Sequence, residues 1–125
     1  MKVLITAGGI REHIDEVRVL TNISTGKLGA QIADTIYMNS EVEKIIYVCS
    51  KGSAIPCCAT TYETVMEVFF ADSVQEVYDI MEKLVPKVDL VIHSMAISDF
   101  GFKPSNTKLK SNDPQAFIDS LRERI

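Results

Sequence analysis

Short runs of apolar residues recur along the chain and are separated by glycine-rich or polar stretches. Residues 3–6 form a β-branched run that ends before Gly8 and Gly9, which predicts a buried strand closed by a turn. Three more apolar runs predict further strands, at residues 44–49, 65–70 and 88–93. Because these runs are almost continuously apolar rather than alternating, they indicate strands of a parallel sheet that are buried on both faces.

Three segments between and after these runs have helical periodicity. The first runs from Thr25 to about Asn39, with Ser24 or Thr25 as its predicted N-cap. The second opens with the capping box formed by Ser73 and Glu76; its apolar stripe consists of Val74, Val77, Met81 and Leu84, and Pro86 stops it. The third opens with Asp113 and Pro114, after which Phe117, Leu121 and Ile125 recur every four residues.

The order of these elements predicts the fold class. Strand, helix, strand, strand, helix, strand is the order of a three-layer α/β domain with a mainly parallel sheet. A chain of 125 residues is one domain by length. We therefore expect residues 1–125 to form a single domain, and the apolar residue at the abrupt end, Ile125, leads us to expect that more chain belongs to it.

Composition and charge exclude several classes of function. A net charge of −4 without a basic stripe argues against nucleic-acid binding, because neutralising phosphates requires clustered cations. No apolar stretch is long enough for a signal peptide or a membrane span, so we predict a cytoplasmic protein without a membrane partner. Three cysteines without a Cys-x-x-Cys pair and two histidines give no zinc pattern, and we predict no protein metal site.

Ligands of open parallel sheets bind beyond the carboxyl ends of the strands, and three loops are candidates. The first contains Gly8 and Gly9, which would let a ligand approach the backbone closely; a simple tight turn is the alternative. The third loop, after residues 88–93, contains Asp99. Its carboxylate suits hydrogen bonding to a sugar hydroxyl or a metal-bound water; alternatively, it only fixes its own turn. His93 ends an apolar run and is expected to be a hydrogen-bonded structural residue rather than a base.

The second loop, "VLTNISTGKLG", precedes the first predicted helix. The start of that helix directs unpaired N–H groups and a positive dipole end at whatever lies in front of it. Ser24 and Thr25 add hydroxyl groups, Gly26 removes bulk, and Asn22 offers an amide. A simple helix cap with a solvated lysine would explain the hydroxyl groups, but it leaves Arg18, Asn22 and Gly26 unexplained.

Together these segments resemble a known family. "VLITAGGIREHIDEVRVLTNISTGKLGAQIA", "DLVIHSMAISDF" and "TKLKS" are similar to the glycine loop, the long Asp-to-Gly signature, the Asp-(Tyr/Phe) loop and the Lys-Ile-Lys-Lys element of phosphopantothenate–cysteine ligases, also called phosphopantothenoylcysteine synthetases. The third loop looks most like the stand-alone bacterial form. The resemblance implies a Rossmann-like fold, a homodimer and a role in coenzyme A biosynthesis.

The resemblance also implies a reaction. CTP or ATP, with Mg²⁺, activates the carboxylate of 4′-phosphopantothenate as an acyl-nucleotide, and the amine of cysteine then attacks the acyl carbon. The catalytic roles fall on Asn22, which would polarise the acyl carbonyl, on Lys108, which would compensate phosphate charge, and on Arg18, which would support the Asn22 loop. The nucleotide- and substrate-binding roles fall on Gly8, Gly9, Ser24, Thr25, Gly26, Ser94, Met95, Ala96 and Asp99.

The sequence departs from the family pattern in places. Ile10 stands where threonine is usual, His13 where proline is common, and Ser111 replaces the last lysine of the basic element. Family members are also longer, so we expect this chain to be the N-terminal part of a ligase that a C-terminal portion completes.

Two other interpretations of the function remain. One is a truncated, non-catalytic relative that binds nucleotide or phosphopantothenate. The other is a Rossmann-like oxidoreductase, which is disfavoured because Ser50 and Lys51 stand where an acidic residue would bind a ribose.

Overall fold

The computed structural model describes residues 1–61 and 65–125 of the chain. In chain order, the strands are β1 (Lys2–Ala7), β2 (Arg11–His13), β3 (Val19–Thr21), β4 (Lys44–Cys49), β5 (Met66–Phe70) and β6 (Leu90–His93). The helices are α1 (Lys27–Tyr37), α2 (Cys58–Thr61), α3 (Val74–Leu84) and α4 (Pro114–Arg124), with a 3₁₀ turn at Val85–Lys87.

Four of the strands form one sheet in the order β5-β4-β1-β6, and every neighbouring pair is parallel. The register sets Thr6 of β1 beside Val48 of β4 and beside His93 of β6. The carboxyl ends of these three strands therefore reach the same edge of the sheet. The predicted four-strand parallel sheet is confirmed.

Residues of β1 alternate between two apolar layers, one on each face of the sheet. Val3 and Ile5 pack in the layer that contains Ala30 and Ala33 of α1, whereas Leu4 packs in the layer that contains Val77 of α3. Burying apolar side chains on both faces stabilises the sheet between its helices. The three-layer α/β prediction is confirmed.

The predicted N-caps of α3 and α4 are confirmed, whereas that of α1 is not. Ser73 Oγ accepts a hydrogen bond from Glu76 N at 3.1 Å, and Asp113 Oδ1 accepts one from Ala116 N at 3.2 Å. The prediction that Ser24 or Thr25 caps α1 is wrong. Gly26 is the N-cap, with φ of 77° and no side-chain cap, because the chain enters this helix through a left-handed turn that favours glycine.

The sequence pattern did not predict the hairpin of β2 and β3. Its two strands pair antiparallel, with Arg11 opposite Thr21 and His13 opposite Val19. Each has only three residues, which is too short for apolar alternation to show. The short helix α2 was also not predicted. No helix in the described part of the chain combines the length and apolar character needed to span a bilayer.

Candidate functional site

The loops after β1 and β6 are joined into one backbone unit. Gly9 forms an isolated parallel bridge with Ala96, Ala96 N donates to Gly8 O at 2.8 Å, and Ile10 N donates to Ala96 O at 3.0 Å. Below this bridge, Ser94 N donates to Thr6 O at 3.1 Å. The first and third candidate loops therefore lie together at the carboxyl edge of the sheet.

The same contacts occupy backbone donors that the resemblance assigns to ligand binding. Met95 N donates to Thr6 Oγ1 at 3.3 Å, and the N–H groups of Ser94 and Ala96 point to Thr6 O and Gly8 O. Thr6 Oγ1 also contacts His93 Nδ1 at 2.7 Å, as expected for a hydrogen-bonded structural histidine. These residues shape the loop and leave side chains to meet a ligand.

Asn22 follows β3 and lies against both loops. Its Nδ2 donates to Ala96 O at 3.1 Å, which holds the amide in one orientation. An amide nitrogen carries two protons, so one remains available to an incoming oxygen. A Cβ on Gly9 would lie only 3.0 Å from Asn22 Cβ and 2.9 Å from Asn22 O, so a glycine is needed for this close approach.

A cavity of about 180 Å³ opens beside Asn22. Its lining residues come from two segments and are Leu20, Thr21, Asn22, Ile97, Ser98, Asp99 and Phe100. The structure thus places Asn22 and Asp99, which are distant in sequence, on the wall of one cavity. An amide donor and a carboxylate acceptor facing a common space can bind a ligand that has both acceptor and donor groups.

Gly8 and Gly26 meet a fourth loop, residues 50–54, which the sequence analysis treated only as a strand end. A Cβ on Gly8 would overlap Ser53 Oγ, and one on Gly26 would lie 3.1 Å from Ser53 Cβ. Ser50 Oγ and Ser53 Oγ are hydrogen bonded at 2.8 Å. In the sequence, the small residues Ser50, Ser53 and Ala54 around Gly52, directly after a predicted strand, were the signal that could have identified this loop.

The hydroxyl residues in front of α1 are exposed. Thr25 O accepts from Ala54 N at 2.9 Å, while Thr25 Oγ1 receives a long contact of 3.4 Å from Lys27 N. Ser24 makes no hydrogen bond to the described residues. Both hydroxyl groups therefore remain accessible beside the positive end of α1.

Arg18 lies at the opposite end of β3 from Asn22. Its Nη1 lies 3.3 Å from Asp15 Oδ2 and donates to Leu109 O at 3.1 Å, and its guanidinium carbon lies 4.9 Å from the centre of the Phe117 ring. Four residues of extended chain separate Arg18 from Asn22 by about 13 Å. Arg18, to which the resemblance assigns support of the Asn22 loop, contacts Leu109 and Ser111, next to Lys108 and Lys110.

Lys108 is exposed and lines a second cavity, of about 370 Å³. The lining residues of this cavity are Lys108, Leu109, Lys110, Ser111 and Asn112. Within residues 1–61 and 65–125, no hydrogen bond or ion pair joins Lys108 to Asn22. The predicted catalytic residues thus lie at the two ends of β3: Asn22 at its carboxyl end, and Arg18 and Lys108 at its amino end.

Asp15 is a polar residue that the sequence analysis did not select. Its side chain is fully buried, and its carboxylate accepts hydrogen bonds from Val17 N at 2.9 Å, Arg18 N at 2.8 Å and Leu109 N at 2.9 Å. Burial acts to raise the pKa of Asp15, but these three backbone bonds and the charge of Arg18 together lower it below the ordinary 3.8. Asp15 therefore remains an anion near neutral pH. Its position just before Arg18, in the Asp-to-Gly signature, was the available signal.

The two buried thiols of the described chain are poor nucleophiles. Burial raises the pKa of Cys49 to about 11, with a smaller effect of the Asp72 charge. Burial raises the pKa of Cys58 to about 12, and a hydrogen bond to the Asp34 carboxylate adds to the effect. Both thiols stay protonated near neutral pH, and the thiolate is the nucleophilic form.

Comparison with known proteins places this chain in a family. The model of the DNA/pantothenate metabolism flavoprotein C-terminal domain matches residues 1–123. The chain belongs to this family. The resemblance noted from the sequence motifs is thereby confirmed at the family level.

Relatives within this flavoprotein C-terminal domain family are longer proteins. The coenzyme A biosynthesis bifunctional protein CoaBC of Thermococcus kodakarensis is 35% identical over 117 residues, which are 90% of this chain and 27% of that protein. The CoaBC protein of Mycobacterium tuberculosis is 32% identical over 99 residues, 79% of this chain and 22% of that protein. The chain spans about a quarter of the length of these curated relatives.

Solved structures support the fold of the family domain. The DNA/pantothenate metabolism flavoprotein from Streptococcus pneumoniae matches with a TM-score of 0.73 at 31% identity, over 82% of this chain and 42% of that one. A mutant of Cab2 in complex with phosphopantothenate-cysteine matches with a TM-score of 0.70 at 16% identity, over 90% of this chain and 51% of that one. The second match shows a shared fold alone.

The donor set of this family domain bears on metal binding. Residues 1–61 and 65–125 contain no cluster of three or more His, Cys, Asp or Glu side chains that could hold a metal ion. Mg²⁺ is commonly held by substrate phosphates with only one or two carboxylates. Asp99, at the cavity beside Asn22, fits that limited role and could meet a metal-bound water.

Proposed function

We propose that this chain binds and activates 4′-phosphopantothenate for joining to cysteine in coenzyme A biosynthesis, as part of a phosphopantothenate–cysteine ligase. The observation that carries the proposal is the Asn22 amide, which is fixed by Ala96 O at 3.1 Å on the wall of the cavity that Asp99 also lines. The family match over residues 1–123 supports it.

The proposed reaction has two steps. A carboxylate oxygen of 4′-phosphopantothenate attacks the α-phosphorus of CTP or ATP, the bond to the β-phosphate oxygen breaks, and pyrophosphate leaves. The amine of cysteine then attacks the acyl carbon, the nucleoside monophosphate leaves, and the amine loses a proton as the amide forms.

Asn22 acts in the second step. Attack of the amine places negative charge on the acyl oxygen, and a donor already aimed at that position stabilises the transition state without reorganising. Because Ala96 O holds one amide proton of Asn22, the second is pre-oriented toward the cavity. Losing a donor of this kind costs about 3–4 kcal/mol of barrier in a well-studied hydrolase.

Lys108 acts in the first step. The exposed ammonium groups of Lys108 and Lys110 line the larger cavity, and a cation there compensates the charge of a triphosphate as pyrophosphate departs. Since this cavity and the Asn22 cavity flank opposite ends of β3, the bound substrates must extend along that strand. Mg²⁺ bound to the phosphates would supply further charge compensation.

The test is pyrophosphate release by the 125-residue chain with 4′-phosphopantothenate, Mg²⁺ and either CTP or ATP, with and without cysteine. Release that depends on phosphopantothenate is expected, and the preferred nucleotide is read from the same assay. Nucleotide binding without any release would contradict activation and would support the non-catalytic interpretation. Size-exclusion chromatography of the same sample tests the expected homodimer.

Two variants assign the steps. Asn22→Ala should retain pyrophosphate release and lose cysteine coupling by about 100- to 1,000-fold, whereas Lys108→Gln should suppress release itself. Lys83→Gln, which removes an exposed charge from the last turn of α3, is the matched control. It should change neither pyrophosphate release nor cysteine coupling. Equal loss of both steps in Asn22→Ala would remove Asn22 from its assigned role.

A further inference from the structure

We infer that Asp15 and Arg18 are positioning residues that hold the Lys108–Lys110 element against the β2–β3 hairpin, so that its two lysines present a binding site for a polyphosphate anion. The identity of that anion as the triphosphate of a nucleotide rests on the proposed function. The positioning itself rests on geometry alone.

Asp15 and Arg18 together form a clamp that binds Leu109, the residue between the two lysines. Leu109 N donates to Asp15 Oδ2 at 2.9 Å, and Leu109 O accepts from Arg18 Nη1 at 3.1 Å. Both polar groups of one peptide residue are thus held by side chains of the hairpin loop. Bonds to ionised partners are among the stronger hydrogen bonds in proteins.

The clamp residues are themselves fixed. The second carboxylate oxygen of Asp15 accepts from Val17 N at 2.9 Å and Arg18 N at 2.8 Å, which closes a tight turn around the buried carboxylate. Arg18 stacks over Phe117 of α4 and reaches Ser111 Oγ at 3.5 Å. Arg18 is therefore held from both the hairpin and the last helix.

Little else ties the basic element to the protein. In the described part of the chain, the hydrogen bonds that join residues 106–112 to the rest of the molecule all involve Asp15 or Arg18, apart from a long local contact of 3.4 Å from Thr107 N to Ser105 Oγ. Ser105 N donates to Ile14 O just before this stretch, and Asp113 begins α4 after it. Without the clamp, these residues would be attached only at their two ends.

The charges of the clamp leave the lysines free to act. Asp15 and Arg18 compensate each other at 3.3 Å, whereas Lys108 and Lys110 form no ion pair within the described residues. Two exposed ammonium groups on the wall of a cavity of about 370 Å³ attract a multiply charged anion rather than a neutral ligand. The ligand class that fits is a chain of phosphates.

The first experiment measures the clamp without any ligand. In amide hydrogen exchange, the Leu109 amide should be protected in the unaltered chain, and Asp15→Asn should speed its exchange by at least about tenfold, as expected for losing a hydrogen bond to a charged group. Asp119→Asn is the matched control, since Asp119 forms the corresponding i,i+3 pair with Arg122 on the surface of α4. Unchanged Leu109 exchange in a folded Asp15→Asn protein would overturn the clamp.

A second variant covers the case in which Asp15→Asn fails to fold. Arg18→Lys keeps the charge but lacks the planar guanidinium that stacks on Phe117 and reaches Ser111 Oγ through Nη2 while Nη1 contacts Asp15 and Leu109 O. It should therefore also speed exchange around Leu109. If Leu109 exchange in Arg18→Lys is unchanged, the clamp is likewise contradicted.

The second experiment measures binding of inorganic tripolyphosphate by calorimetry. Lys108→Gln should weaken binding by about tenfold, the size of one charge-assisted contact. Removing the nearby carboxylate in Asp15→Asn would tighten anion binding if charge alone mattered, whereas loss of positioning weakens it. We expect Asp15→Asn to bind tripolyphosphate more weakly than the unaltered chain. We expect the double variant Asp15→Asn/Lys108→Gln to bind no more weakly than Lys108→Gln alone.

Tighter binding by Asp15→Asn, or fully additive losses, would overturn the positioning role. These outcomes are independent of the proposed function. Tripolyphosphate binding with the expected coupling but no pyrophosphate release would reject the ligase activity and keep the inference, and release with additive losses would do the reverse.

Discussion

The two ends of β3 are held in place by different means. At the Asn22 end, loops are joined by backbone bonds that continue the sheet, such as those between Ala96 and the glycine loop after β1. At the Arg18 end, residues 106–112 have no regular secondary structure and depend on two side chains, Asp15 and Arg18, for their attachment.

This difference predicts different responses to mutation. A loop that continues a buried parallel sheet shares the stability of the core, so it fails only when the close packing of its backbone is disturbed. A segment held by a few side-chain bonds can detach while the sheet remains intact. Substitutions at the first end should therefore affect global unfolding, and those at the second end should act locally.

The largest effect is expected for Gly8→Ala. Gly8 has φ of 87°, and an added Cβ would overlap Ser53 Oγ and lie 3.0 Å from Ser53 Cβ. Rotating the Ser53 hydroxyl away would break its bond to Ser50 without removing the second contact. We expect a loss of about 2–5 kcal/mol in the free energy of unfolding, from backbone strain and overpacking together.

The matched control for Gly8→Ala is Gly52→Ala. Gly52 has φ of 83° but would place its Cβ in open space, so it should lose only the strain contribution of about 1–3 kcal/mol. Chemical denaturation of both variants isolates the steric part. Equal losses would mean that the loop after β4 does not hold the glycine loop.

An intermediate effect is expected for Tyr47→Phe. The Tyr47 ring is fully buried, and its hydroxyl donates to Ala54 O at 2.9 Å, which ties the loop after β4 to the core. Burial, with a smaller contribution from nearby negative charge, raises the pKa of Tyr47 above its ordinary 10, so the phenol remains a donor. Removing it leaves the carbonyl of half-buried Ala54 without this donor and should cost about 1–3 kcal/mol in unfolding free energy, measured by denaturation.

Tyr78→Phe, which removes a hydroxyl from an exposed tyrosine of α3, offers a comparison outside the site. If Tyr47→Phe costs no more than a few tenths of a kcal/mol, the hydroxyl does not anchor the loop.

The parts of the fold that could be predicted are those in which apolar periodicity is long. β1 and β4 each have six residues and α1 and α3 each have eleven, long enough for burial on both faces or on one stripe to show in the sequence. The three-residue strands β2 and β3 carry mostly half-buried or exposed side chains. Their pairing comes from the tertiary structure and leaves little trace in the pattern of apolar residues.

The residues of the candidate site also differ in how far the sequence predicts their positions. Gly8, Gly9 and Asp99 follow β1 and β6, whose register brings them to one edge, so a correct sheet prediction nearly places them. Asn22 follows β3 of the separate, unpredicted hairpin, and its contact with Ala96 comes from the tertiary structure. The contact of Asp15 with Leu109 joins residues 94 positions apart, through a turn and an irregular segment. No local pattern encodes such a contact, so the sequence analysis gave Asp15 no role and did not connect Arg18 with Leu109.

The smallest global effect, and the one that most sharpens the comparison, is the pH dependence of the clamp. The folded-state pKa of Asp15 lies below its ordinary 3.8, so the stability that its carboxylate contributes is complete above that value and is lost as the pH falls through the folded-state pKa. The melting temperature of the unaltered chain should exceed that of Asp15→Asn by a constant amount from about pH 7 to 5, and the gap should narrow below pH 3.8. Asp34, whose pKa is also lowered, titrates in both proteins and cancels in the difference. A gap that stays constant to the lowest pH would mean that the Asp15 charge is not what holds Leu109.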